Sequence, residues 1–107
     1  MTGDQGRIDA LAARPVAPGK LLIGDEWIDG QDAPLDVVTP IDGRYLTTIA
    51  SASAADVASA VRAARLAFDT GVWSRAAPAA RKAVLHRLAD LIDKNSLELA
   101  VLGVRDN

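Results

Sequence analysis

A small antiparallel β region followed by three helices is the arrangement the sequence predicts. Two observations carry it. Short alternating or β-branched runs separated by Gly, Pro and Asp fill residues 21–50, and apolar residues at helical spacing fill residues 54–105. The change between the two is sharp, and no strand alternates with a helix as in a βαβ unit. The chain reads as two parts: an irregular N-terminal arm over 1–20, and one ordered segment over 21–107.

The arm mixes charge, Ala, Pro and Gly and ends in Arg14-Pro15-Val16-Ala17-Pro18-Gly19. Leu21-Leu22-Ile23, Gly24-Asp25 and Glu26-Trp27-Ile28 then form a hairpin, with Gly24 supplying the positive φ of a type II′ turn and Gly30 closing the second strand. Leu35–Val38 is the next strand. Pro40 cannot donate a ladder hydrogen bond, so that strand stops there or lies on an edge. Ile41-Asp42-Gly43-Arg44 is a turn and Tyr45–Ala50 a further strand.

Ser53 precedes Ala54-Ala55-Asp56, a capping box with Asp in the place of Glu. Val57, Val61, Ala64 and Phe68 recur at helical spacing, which predicts a helix over Ala54–Thr70 ended by Gly71. Pro78 suits the first turn of a second helix, Pro78–Lys94, with Val84, Leu85, Leu88, Leu91 and Ile92 as its apolar stripe. Asn95, with Glu98 three residues on, reads as the N-cap of a third helix over Ser96–Arg105.

Composition excludes several functions. The 107 residues suffice for one small domain, half of them apolar but only 4% aromatic, so alanine inflates the apolar share and burial drives folding weakly. A net charge of −2 argues against nucleic acid as a partner. There is no cysteine, which removes disulfides, thiolate metal sites and a thiolate nucleophile from this chain. No run has the length and hydropathy of a membrane span, no secretory leader is expected, and the reading is a cytoplasmic protein.

Individual residues add little chemistry. His86, the single histidine, reads as a partly exposed helix residue without a catalytic partner. The glycines form neither G-x-G-x-x-G nor a Walker loop. Ser53 and Ser74 read as caps or loop residues. Arg81, Lys82 and Arg87 read as a solvated face diluted by Asp90 and Asp93, and Trp27 and Trp73 as packing anchors.

From Leu21 onward the chain resembles the start of the NAD(P)-dependent aldehyde dehydrogenase superfamily. Leu22-Ile23-Gly24-Asp25-Glu26-Trp27 is similar to the family's opening hairpin, and Val37-Val38-Thr39-Pro40-Ile41-Asp42-Gly43 to its V-x-P-x-x-G segment. Ala63 to Phe68 resembles its A-x-x-A-F helix, and Val72-Trp73-Ser74 with Pro78-Ala79-Ala80-Arg81-Lys82 its W-S…P-x-x-R join. Leu88 to Ile92 and the late Asp106-Asn107 complete the match. The Pro-Ile-Asp-Gly-Arg and Gly-Val-Trp-Ser forms look most like the branch acting on γ-aminobutyraldehyde and γ-glutamylated aminoaldehydes. Two departures stand out. The hairpin turn is Gly24-Asp25 where Asn-Gly is usual, and Arg105 stands where an uncharged residue usually packs.

The resemblance implies an α/β fold of which this chain is an incomplete part of the cofactor-binding domain. It implies aldehyde oxidation to a carboxylic acid by thiolate attack, hydride transfer to NAD or NADP, and thioester hydrolysis. The cysteine, the glutamate base and the dinucleotide loop are not among these residues, so this chain alone is expected to bind no cofactor and to be inactive. A homo-oligomer, with aldehyde as substrate only in the complete enzyme, is also implied. The alternatives are a non-catalytic module or truncated product that docks on a full-length relative, and an unrelated helical DNA-binding domain. The hairpin, the acidic balance and the long Phe68–Pro78 link count against the last. Position by position, the family's monovalent-cation site falls on the carbonyls of Val37 and Val38 and the carboxylate of Asp106; the other reading of Asp106 is a hydrogen bond to loop backbone.

Overall fold

The structure is a computed structural model that describes residues 2–107. Its elements are α1 (Thr2–Ala13), β1 (Leu21–Ile23), β2 (Glu26–Ile28), β3 (Asp32–Val38), β4 (Tyr45–Ser51), α2 (Ala54–Thr70), α3 (Pro78–Lys94) and α4 (Ser96–Asp106). The strands form two separate two-stranded antiparallel sheets, β1-β2 and β3-β4.

The expected β region and the three later helices are present. The expected irregular arm is not: residues 2–13 are helical, and only the stretch from Arg14 onward is irregular. Met1, at the head of that arm, lies outside the described residues. The sequence signal for α1 is poor because the helix carries Gly3 and Gly6 and lacks a clear apolar stripe. It packs against α4. Arg105 of α4 donates from Nη1 to the carbonyls of Leu11 (3.2 Å) and Arg14 (2.8 Å), satisfying acceptors at the end of α1.

The first hairpin pairs Leu21 with Ile28, Leu22 with Trp27 and Ile23 with Glu26. Gly24 has φ 61°, and no non-glycine residue among those described has positive φ. Positive φ at the first turn position only is the type II′ geometry. Trp27, at 65% exposed, and Trp73, at 46%, are not the packing anchors the sequence suggests, because no neighbouring element covers their rings.

The β3-β4 ladder is broken twice, between Asp32 and Leu35 and between Val37 and Val38. Three steps along β3 from Asp32 to Leu35 face two along β4 from Ser51 to Ile49, and Pro34 sits in that bulge. A bulge tolerates the missing proline N–H, so β3 begins earlier than the Leu35 start read from sequence. In the second irregularity, Val37 pairs with Thr47 and Val38 with Tyr45, leaving Leu46 as the extra residue on β4. The irregular stretch after α1 is pinned to β4. Gly19 N donates to Thr48 O (2.9 Å), Ala50 N to Gly19 O (2.8 Å), and the buried Thr47 hydroxyl to Val16 O (3.0 Å).

One carboxylate joins the β region to the helices. Asp56, 4% exposed, lies in the first turn of α2. Its Oδ2 accepts from Gln31 N (2.8 Å) and Ser53 N (2.9 Å), while Ser53 Oγ accepts from Asp56 N (3.1 Å). Ser53 Oγ in turn donates to Gln31 Oε1 at 3.2 Å. The capping box is therefore complete, and it also ties down the link between β2 and β3. Just before that link, Gly30 has φ 78°, and a Cβ there would lie 2.6 Å from Ser51 O, so a side chain is excluded.

α2 ends at Gly71, which adopts the left-handed conformation, and α3 begins with Pro78 as expected. Asn95 stands at the N-cap of α4 as expected, and its carbonyl accepts from Leu99 N (3.0 Å). Its side chain makes no capping bond to α4; instead Nδ2 donates to Leu91 O (2.7 Å) at the end of α3. With only one residue between the helices, the open carbonyls of α3 compete for that amide and win.

None of the described hydrophobic residues is buried; the apolar stripes of α2 and α3 face solvent, and that of α4 is half-buried only at Leu97 and Val101. The radius of gyration is 18.0 Å, against about 13 Å for a compact 100-residue domain.

Three outcomes follow from this packing and capping. The isolated chain is expected to bind a hydrophobic dye such as ANS and to melt over a broad range. A sharp calorimetric transition from a monodisperse monomer contradicts that. Replacing Ser53 with Ala is expected to cost about 1 kcal/mol at the start of α2, read by amide exchange in its first turn. The Asp56 pKa is held below the ordinary carboxylate value by the Ser53 N–H first and the Gln31 N–H second, against a smaller opposing effect of burial. Because the folded-state value is depressed, the stabilisation is full above the ordinary carboxylate range and is lost as pH falls through the lowered value. Asp56→Asn is expected to flatten that acid limb of helix content; an unchanged limb assigns it to other carboxylates.

Candidate functional site

The residues matched to a cation site lie on two elements. Val37 and Val38 are the last two residues of β3, Val37 half-buried and Val38 exposed. Asp106 is the exposed last residue of α4. The ladder irregularity falls between the two valines. A bulge there interrupts regular pairing at the strand end. Immediately beyond, the chain reverses tightly: Thr39 N donates to Arg44 O (2.9 Å) and Gly43 N to Thr39 O (2.8 Å).

A cleft of 610 Å³ joins this turn to the ends of α1 and α4, lined in part by Asp9, Thr39, Asp42, Arg44, Leu46 and Arg105. Thr39 follows Val38 in the chain and Arg105 precedes Asp106. The structure thus brings the neighbours of the matched residues to one cleft, but Val37, Val38 and Asp106 do not themselves line it. The cleft is polar and its charges are engaged. Asp42 accepts from Arg44 N at Oδ1 (3.1 Å) and from Arg44 Nε at Oδ2 (2.6 Å). Those bonds, the backbone N–H of Arg44 foremost, hold the Asp42 carboxyl below its usual range. Arg105 is occupied by the α1 carbonyls. Among the described residues no group of three His, Cys, Asp or Glu side chains is arranged to hold a metal. Any cation here would rest on backbone carbonyls and one carboxylate.

The remaining sequence candidates stay apart. His86 is exposed on α3. Arg81, Lys82 and Arg87 share α3 and form no ion pair with each other's neighbours Asp90 and Asp93 among the described residues. Ser74 donates to Phe68 O (2.8 Å) and closes the loop after α2. The role of Arg105 is the one that sequence reading misses. Its partner helix is itself not visible in the sequence, so the charge registers only as a misplaced residue.

Comparison with known proteins agrees with the geometry. The model of the aldehyde dehydrogenase family matches residues 27–107. Phenylacetaldehyde dehydrogenase of Pseudomonas fluorescens is 37% identical over 91 residues, which are 84% of this chain and 18% of that protein. Aldehyde dehydrogenase 1 of Tanacetum cinerariifolium is 40% identical over 88 residues, 81% of this chain and 18% of that protein. Among solved structures, an indole-3-acetaldehyde dehydrogenase in complex with NAD+ superposes with a TM-score of 0.86 at 39% identity. The match covers 94% of this chain and 21% of that one, so these residues span about a fifth of the length of such proteins. On the family match, the sequence identity and the superposition together, the chain belongs to the aldehyde dehydrogenase family.

Proposed function

We propose that these residues supply the N-terminal part of the cofactor-binding domain of an enzyme that oxidises aldehydes to carboxylic acids with NAD or NADP. The observation that carries this is the superposition on a fifth of an NAD+-bound indole-3-acetaldehyde dehydrogenase at 39% identity. The contribution of this segment is structural: a hairpin, a bulged ribbon and three helices whose apolar faces await a partner surface. The thiolate chemistry lies outside it, since the sequence holds no cysteine. The assembled enzyme is read as a cytoplasmic homo-oligomer. No helix among the described residues is long and apolar enough to cross a membrane. The aminoaldehyde branch remains our reading of Pro40-Ile41-Asp42-Gly43-Arg44 and Gly71-Val72-Trp73-Ser74; two of the three relatives described above are named for arylacetaldehydes.

The residues fit a monovalent cation in donor type. Carbonyls of Val37 and Val38 and the carboxylate of Asp106 are all oxygen donors, which hard cations prefer, and the bulge at the valines interrupts the ladder where the carbonyls are needed. A cation held there by the Val37 and Val38 carbonyls and the Asp106 carboxylate would supply positive charge between the strand end and the end of α4, and it would need a further oxygen ligand from outside this segment.

Two measurements test these readings. The purified chain is expected to give no aldehyde-dependent reduction of NAD or NADP, and its tryptophan fluorescence is expected not to respond to either cofactor. Turnover that survives removal of contaminating enzyme overturns the structural assignment. Stable co-elution with a complete aldehyde dehydrogenase favours the docking-module alternative. For the cation, crystals of the assembled protein grown with K+ and then Rb+ should show an anomalous peak between Asp106 and the two valine carbonyls. Water at ordinary hydrogen-bond distances in both removes the site.

A further inference from the structure

We infer that α1 is a detachable strap, a helix that exists only while it is docked on α4, with Arg105 as the residue that holds it there. Four observations carry this. First, α1 is a weak helix in itself. It has 12 residues, two of them glycines, and no consistent apolar face. Isolated helices shorter than about 12–15 residues are marginal even when rich in alanine, and each glycine costs a helix about 1 kcal/mol relative to alanine. The one local side-chain bond seen within it is Gln5 Nε2 to Asp9 Oδ1.

Second, what α1 lacks locally, α4 supplies. Arg105 Nη1 donates to Leu11 O, which also accepts from Arg14 N (3.3 Å), and to Arg14 O, one residue past the end of α1. These are bonds from a charged donor, the stronger kind. Arg14 also reaches Glu98 Oε1 at 3.2 Å, but both side chains are about half exposed, so this pair contributes little. Third, the docked strap covers a cavity of 170 Å³ between the two elements, lined by Leu11, Val16, Val101 and Leu102 among others. Of α1, Leu11 lines that cavity; Ile8 and Leu11 are half-buried, while most of α1 is exposed. Undocking therefore loses a small apolar contact and opens a groove on α4.

Fourth, the strap has a hinge and an anchor. Residues 14–19, with Pro15 and Pro18, connect it to Gly19, which is bonded into the edge of β4 on both its N–H and its carbonyl. Loss of the α4 contact thus frees residues 2–13 without releasing the rest of the chain. The groove then exposed ends one residue before Asp106. Arg105 acts as a positioning residue, through the backbone of α1.

Hydrogen exchange on the full chain and its Arg105→Gln, Arg105→Lys and Glu98→Gln variants tests this. Arg105→Gln is expected to speed exchange of the amides of residues 6–13 by roughly tenfold, the value of a hydrogen bond to a charged group. Exchange in the first turn of α2 should not change. Arg105→Lys, which keeps the charge and a donor, should restore part of the protection, and Glu98→Gln should have little effect. Equal protection of α1 in the parent and in Arg105→Gln overturns the inference. So does an equal loss with Glu98→Gln, which transfers the role to the ion pair. An α1 that exchanges freely in the parent, alone or together with α4, overturns it as well, because the strap is then not docked.

Discussion

The Asp56 carboxylate is the constraint on which the rest of the architecture depends. Two backbone N–H groups from different parts of the chain, Gln31 and Ser53, converge on one of its oxygens. One begins the β3 ribbon, the other begins α2. With no buried hydrophobic residue to fix their relation, a charged acceptor holding two donors does so instead. The direction of its pKa follows from the same bonds, since they exist at full strength only with the ionised form. Glutamate at this position would serve an ordinary capping box. Aspartate, shorter by one methylene, keeps the carboxylate close enough to the backbone to be shared with the incoming ribbon.

Polar clamps recur because apolar burial is scarce. The chain exposes 8367 Å², whereas a compact monomer of 11.2 kDa exposes about 5,700 Å². The excess, on the order of 2,700 Å², is in the range of surface that obligate partners bury. Leu85, Leu88, Leu91 and Ile92 make a continuous stripe that is about half exposed throughout. Such a stripe at strict helical spacing is what a core-facing helix carries. The relatives extend for several times the length of this segment, which is consistent with the stripes belonging to an interior formed by other parts of the family fold.

What the sequence made legible follows the same division. α2 and α3 were readable to the residue because their signals are local: Ser53 with Asp56, Gly71, Pro78. The Gly24 turn was readable because positive φ selects glycine. Three features were not. α1 has no local signal, and its helix depends on an arginine 91 residues from its Arg14 acceptor. Asn95 stands between two helix ends that both want its side chain, and spacing alone does not say which prevails. Trp27 and Trp73 are large rings whose burial depends on surfaces outside these residues, so chemistry that favours packing does not ensure it here. The candidate cation residues came from family position alone; composition and spacing carry no trace of a site built from backbone carbonyls.

Arg105 shows why a departure from a family pattern is not by itself a defect. A guanidinium in place of an uncharged residue near a helix end costs desolvation if it is buried without partners. Here it remains partly exposed and spends one nitrogen on two carbonyls at the end of α1. Leu11 O already accepts from Arg14 N, so the added bonds reinforce the end of a helix that, with Gly3 and Gly6, has little else to sustain it. The same residue also lines the cleft that reaches the Thr39–Arg44 turn. The end of α4 therefore bears on the order of the N-terminal helix through Arg105, whereas Glu98, whose pair with Arg14 is about half exposed, adds little.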